Sequence, residues 1–221
     1  MLLQLRKNLL GLLHRHFFDE GLQRVLGVRD ELAGEVGRVV LVLAKGLDAL
    51  PSNIPIGPWV NGLNDNQQIE AVTLLEPNTL AVFAENPASG EENIRGALEF
   101  YPGGPRRLMT RNFRVAPRPP FAVTSAATAP EGDVLLLERR ASLAGGVGIE
   151  LRRVAPGAIA ENTNVTADVL AELSYQDANI DNMEGLALRR GPKGETLIYM
   201  MSDDNYSPLQ RTLLLMFEWK R

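Results

Sequence analysis

Acidic side chains crowd both ends of the stretch DNMEGLALRRGPKGETLIYMMSDDN, residues 181–205. Asp181 and Glu184 stand at its start, and Asp203, Asp204 and Asn205 at its finish. Carboxylates at close range repel one another unless a cation or a shared proton relieves them. Such a cluster suits proton transfer or the coordination of a hard cation by oxygen. Between the two acidic ends lie two runs of strand-forming residues joined by Gly191-Pro192-Lys193-Gly194, the pattern of a hairpin. An antiparallel hairpin returns its end to its start. Acids that are distant in sequence therefore share one end of the element.

The same pattern occurs twice more. IEAVTLLEPNTLAVFAEN (69–86) carries Glu70 near its start and Glu85 near its end, and TSAATAPEGDVLLLERR (124–140) closes on Glu138. Glu85, Glu138 and Asp203 are read as the matched closing acids of three units that recur at about 55–60 residues, within the range of propeller arrays. If the hairpins are the inner strands of propeller blades, these ends face one rim of a central channel. Convergent carboxylates there predict a divalent metal held by oxygen: calcium, magnesium or manganese. Plainer readings accompany each residue. Asp203-Asp204-Asn205 has the composition of a turn. Asp181-Asn182 can be a strand-entry turn. Glu138 beside Arg139 and Arg140 can be an ion pair at a blade edge.

The elements that must position these residues are short strands. Beyond residue 20, runs such as RVLGV, RVVLVLA, ALEFY, IELRRV and TLLLMFEW alternate with clusters of Gly, Pro, Asn and Asp, giving about ten strands in all. The fold class expected is all-β and β-propeller-like, a small or incomplete ring with a short N-terminal helix. Two segments are expected, an N-terminal amphipathic segment at 1–20 and the β domain at 21–221. Residues 51–68, 85–93 and 114–120 read as loops. Residues 158–174 read either as a strand or as a short helix capped by Thr166. The last run, TLLLMFEW, reads as a closing strand buried on both faces.

Composition narrows the chemistry. The net charge of -4 and the lack of a basic stripe argue against nucleic acid as a partner. With no cysteine, disulfides and thiolate metal sites are excluded. The two histidines, His14 and His16, lie in the N-terminal segment, which argues against Ser/His/Asp catalysis and a three-histidine zinc site. No apolar run is long enough to span a membrane, and the N-terminus lacks the cleavage pattern of a signal peptide.

The motifs DNMEGLAL (181–188), SDDNYSPLQRTLLLMFE (202–218), LLLERR (135–140) and IEAVTLL with TLAVFAE (69–85) resemble those of the phytase-like family, proteins with "esterase-like activity of phytase" that are widespread in bacteria. The resemblance covers roughly residues 65–221. It implies a β-propeller and a phosphoric ester hydrolase acting on a small phosphorylated substrate, in proteins that are generally periplasmic or secreted; joined to the convergent carboxylates, it makes a metal-dependent enzyme the expectation, with calcium the leading choice. In this scheme Glu70, Glu184 and Asp203 hold the metal and Glu85 or Asp204 is the general base. Arg139, Arg211 and Asn205 contact substrate, and Asp181 and Glu138 support the site from behind. Arg211 also reads as an anchor for the loop at 203–208. The chain departs from the family pattern in two ways. Its start is leucine-rich and its length suits four or five blades, the mark of an N-terminally truncated member, and Thr124-Ser125 replaces an expected Thr-Asp. The alternatives from other classes are a non-catalytic binding propeller with structural calcium and an inactive truncated homologue. Oligomeric state has no signature in the sequence.

Overall fold

The computed structural model describes residues 24–30, 38–43, 52–61, 63, 68–102, 107–142 and 146–220. The N-terminal segment, with its expected helix, lies outside them. The chain divides into two compact units, Met1–Ile56 and Gly57–Arg221. In the first, β1 (Arg24–Asp30), β2 (Arg38–Leu43) and β3 (Ser52–Pro55) form an antiparallel sheet in the order β1-β2-β3.

The second unit is built from three successive antiparallel sheets. The first has β4 (Ile69–Glu76), β5 (Thr79–Ala84), β6 (Ile94–Phe100) and β7 (Met109–Val115) in chain order, extended by the short parallel strand β11 (Asn164–Val165) beside β7. The second has β8 (Ala122–Thr128), β9 (Val134–Ser142), β10 (Gly146–Val154) and β12 (Asp168–Ser174). The third has β13 (Met183–Arg190), β14 (Thr196–Ser202) and β15 (Leu214–Trp219). Strand β4 packs on β8, and β8 packs on β13. Each sheet thus presents its first strand to the next, the arrangement of blades in a β-propeller.

Sequence pattern explains the layering. β5 reads TLAVFA and is buried along its whole length, as an inner strand covered on both faces must be. Phe83 on β5 meets Phe113 on β7 edge to face at 5.4 Å between ring centres. Gly96 on the intervening β6 makes this contact feasible, because a Cβ there would lie 2.3 Å from Phe113 Cε2. Between the second and third blades, Leu135, Leu137, Ile149 and Leu151 pack against Ile180, Met183, Ile198 and Met200. The seams are also pinned by hydroxyls. Thr73 Oγ1 meets Thr128 Oγ1 at 2.9 Å between the first and second blades. Thr124 Oγ1 shares its proton between Met183 O at 3.1 Å and Leu137 O at 3.3 Å, joining the second blade to the third.

Several local expectations change. The segment 168–174 is a strand, because β10 offers it an open row of backbone groups. Among the described residues, α-helix is confined to one turn, Tyr175–Ala178. There Asp177 Oδ2 accepts from Ser174 N at 2.8 Å and Ser174 Oγ at 2.6 Å, so Ser174 opens the turn rather than Thr166. The expected loop at 51–68 contains β3 and a 3-10 turn, Pro58–Val60. That turn is held by the fully buried Glu99, whose carboxylate accepts from Gly57 N at 3.0 Å, Trp59 Nε1 at 2.7 Å and Thr110 Oγ1 at 2.6 Å. Strand β7 overlaps the expected loop at 114–120; its polar MTRNFRV turns only Phe113 and Val115 fully inward. The last strand is not buried on both faces. Leu215, Phe217 and Trp219 pack on the core while Leu214, Met216 and Glu218 are exposed, because β15 is the outer strand of its sheet.

Candidate functional site

The three inner hairpins share one irregularity. Register breaks between Ile69 and Ala71 in β4, between Val123 and Ser125 in β8, and between Met183 and Gly185 in β13. The residues squeezed out are Glu70, Thr124 and Glu184. A bulged residue leaves the ladder and its side chain is re-aimed, which is why bulges recur beside functional sites. Opposite the bulges, Ile69 pairs with Ala84, Val123 with Glu138 and Met183 with Ser202. The next residues on those second strands are Glu85, Arg139 and Asp203. The ends are tied by Glu85 N donating to Gln68 O at 2.8 Å and Asp203 N to Asn182 O at 3.0 Å.

This register corrects the matching of closing acids. Glu138 corresponds to Ala84 and Ser202, and Arg139 is the counterpart of Glu85 and Asp203. Side chains alternate between the faces of a strand, so a shift of one residue moves Glu138 off the rim and into the blade. At the rim the second blade therefore carries Thr124 and Arg139 where its neighbours carry acids.

Arg139, Glu184, Glu70 and Glu85 form one electrostatic neighbourhood. Arg139 Nη1 donates to Asn182 Oδ1, and Asn182 Nδ2 donates to Glu184 Oε1 at 2.6 Å. Arg139 Nη2 stands 3.9 Å from the same Glu184 oxygen. The Glu70 carboxylate reaches solvent but is hemmed in by protein. That crowding, followed by the charges of Glu85 and Glu184, raises its pKa, while Arg139 opposes the rise. Burial also raises the pKa of Glu85, with Arg139 lowering it and Glu184 raising it. Three carboxylates thus share the guanidinium of Arg139.

The remaining predicted residues have other partners. Asp181 is buried; its Oδ1 accepts from Asn182 N at 2.9 Å and its Oδ2 from Arg211 N at 3.1 Å. Arg211 also reaches Asp181 Oδ2 through Nε at 3.4 Å and Asn179 O through Nη2 at 3.3 Å, so it anchors the chain around the loop at 203–210. Asp203 stands at the rim, but its Oδ1 accepts from Asn205 N at 3.0 Å. Asp204 Oδ1 accepts from Tyr206 N at 3.0 Å and its Oδ2 from Thr212 Oγ1 at 3.0 Å. Asn205 has a positive φ of 48° and donates through Nδ2 to Gln210 Oε1 at 3.2 Å. These three residues build a turn, the role their composition favours. Glu138 is buried and paired with Arg152 Nη1 at 2.8 Å.

The rim's donors are all oxygen and their charge is incompletely balanced, which suits a hard divalent cation. Among the described residues, no three acids or histidines converge closely enough to enclose one. A cation at this rim would complete its shell with water or substrate oxygens. Sequence reasoning placed Asn182 with Asp181 at a strand-entry turn behind Glu184 but not as the buried amide that joins Arg139 to Glu184. The signal available was its place inside the DNMEG motif, between two acids.

The fold is that of a β-propeller whose inner hairpins gather acids at their ends. The family model for phytase-like proteins, described as esterase-like activity of phytase, matches residues 19–206, and the chain belongs to that family. No curated protein matches the chain. Among the described residues no helix is long and apolar enough to cross a membrane.

Proposed function

We propose that the rim formed by Glu70, Glu85, Glu184 and Arg139 hydrolyses a small phosphoric ester. The observation that carries this reading is the placement of Arg139 among three carboxylates at bulged hairpin ends, in a chain of the phytase-like family. A guanidinium grips phosphate oxygens through its fixed fork of donors. Glu85 is the favoured base. It sits among acids, and burial and like charge bring its pKa up toward the range where a carboxylate accepts a proton effectively. Glu85 takes a proton from the attacking water, whose oxygen forms the new bond to phosphorus. The ester P–O bond breaks, and its electron pair leaves on the alcohol oxygen, which takes a proton from solvent.

Glu70 and Glu184 are the residues that would hold a divalent cation, with calcium the first choice and Asp203 nearby at the rim. When bound, a cation of this kind offsets phosphate charge and acidifies water. The test is hydrolysis of p-nitrophenyl phosphate and bis-p-nitrophenyl phosphate with and without calcium, magnesium or manganese. Turnover that is lost in a folded Glu184→Gln variant supports the proposal. The second reading is a binding propeller with structural calcium, favoured by the ties that already hold Asp203, Asp204 and Asn205 in a turn. A calcium-raised Tm without turnover under any metal would select that reading.

A further inference from the structure

We propose that Asn182 is the positioning residue of this rim: its amide bridges Arg139 and Glu184 and so fixes the guanidinium in the orientation that meets a phosphate at the rim. The inference rests on the reading of the rim as a phosphate site and adds a residue that neither charge nor nucleophilicity would single out.

An arginine on one blade and a glutamate on the next would ordinarily collapse into a direct ion pair and neutralise each other. Here the pair is loose: Arg139 Nη2 and Glu184 Oε1 are 3.9 Å apart, within ion-pair reach but beyond hydrogen-bond distance. The amide of Asn182 stands between them, its Oδ1 accepting from Arg139 Nη1 and its Nδ2 donating to Glu184 Oε1 at 2.6 Å. An amide accepts from a cation with one atom and donates to an anion with the other. A carboxylate there would repel Glu184, and an aliphatic side chain would leave both groups to pair directly.

Asn182 is itself fixed from three sides. It is 1% exposed, its N–H donates to Asp181 Oδ1 at 2.9 Å, and its carbonyl accepts from Asp203 N at 3.0 Å. Asp181 is in turn held by Arg211. The acidic ends of the third hairpin therefore lock the amide, and the amide sets the two charged groups. With Nη1 bound to Asn182, the guanidinium is fixed in orientation beside Glu184.

Inorganic phosphate is the probe, titrated calorimetrically into the full-length protein and its Asn182→Ala, Asn182→Asp and Arg139→Gln variants, with folding checked by cooperative melting. Asn182→Ala is expected to weaken phosphate binding about tenfold, the scale of one hydrogen bond to a charged group. Asn182→Asp should weaken it further, because it adds negative charge. The double variant Asn182→Ala/Arg139→Gln should bind no worse than Arg139→Gln alone, since the amide acts through the arginine. Additive losses, or wild-type affinity in folded Asn182→Ala, would overturn the assignment. A wild-type protein that binds no phosphate would instead sink the reading of the rim as a phosphate site. In that case rotation of the Arg139 guanidinium, followed by nitrogen NMR, still decides the role of Asn182. It should be slow in the wild type and faster in Asn182→Ala, and equal rates refute the positioning role.

Discussion

Glu138→Gln should remove a block of pH-dependent stability from this protein. Glu138 and Glu150 face each other directly across β9 and β10, and both are buried. Arg152 Nη1 donates to Glu138 Oε1 at 2.8 Å, and Arg118 pairs with Glu150. Glu138 Oε2 and Glu150 Oε1 are buried without a hydrogen-bond partner. Burial is the main cause that pushes the Glu138 pKa up from 4.5 to about 7, opposed by Arg152 and reinforced by Glu150. At about 1.4 kcal/mol per unit, that shift corresponds to about 3 kcal/mol. The sign follows from linkage: the folded state holds a proton that the unfolded chain has released, so stability is fully present below pH 4.5 and falls as pH rises to about 7. A glutamine keeps an acceptor for Arg152 and offers Glu150 a donor without titrating. Urea unfolding at pH 5 and pH 8 is the assay. Relative to wild type, the variant should gain about 3 kcal/mol on going from pH 5 to pH 8. Wild-type and variant stabilities that run parallel across this window would refute the argument.

Two more outcomes follow from the rim and the seam. Arg139 lowers the pKa of both Glu70 and Glu85, so Arg139→Gln should move the acidic limb of any pH–activity profile to higher pH; an unmoved or lowered limb contradicts the shared neighbourhood. Thr124→Val removes the hydroxyl that links β8 to Met183 O and Leu137 O, and should cost about 1 kcal/mol in urea unfolding; an unchanged midpoint would show that the seam is held by packing alone.

Much of the fold was legible because strand signals are local. Runs such as TLAVFA and the Gly-Pro-Lys-Gly turn carry their structure in their own composition. β7 and β12 were not, because a polar outer strand and a helix-compatible edge strand become strands only when a neighbour offers backbone partners. Likewise TLLLMFEW looked doubly buried, yet the exposure of Leu214 and Met216 depends on β15 having β14 on one side as its strand partner.

At the site, the sequence by itself determined that carboxylates would gather where hairpins return on themselves, because antiparallel pairing joins the two ends of each unit. It could equally place Glu70, Glu85 and Glu184 at such ends. Only the tertiary structure decided which acids stay there. The bulges set the register, the register put Arg139 at the rim and Glu138 inside, and one residue of slip in a period-two element exchanges those fates. The chain's own turn claimed Asp204 and Asn205 through backbone N–H groups that needed acceptors or geometry to match. And the amide of Asn182 became a junction only when two blades brought an arginine and a glutamate to its opposite ends.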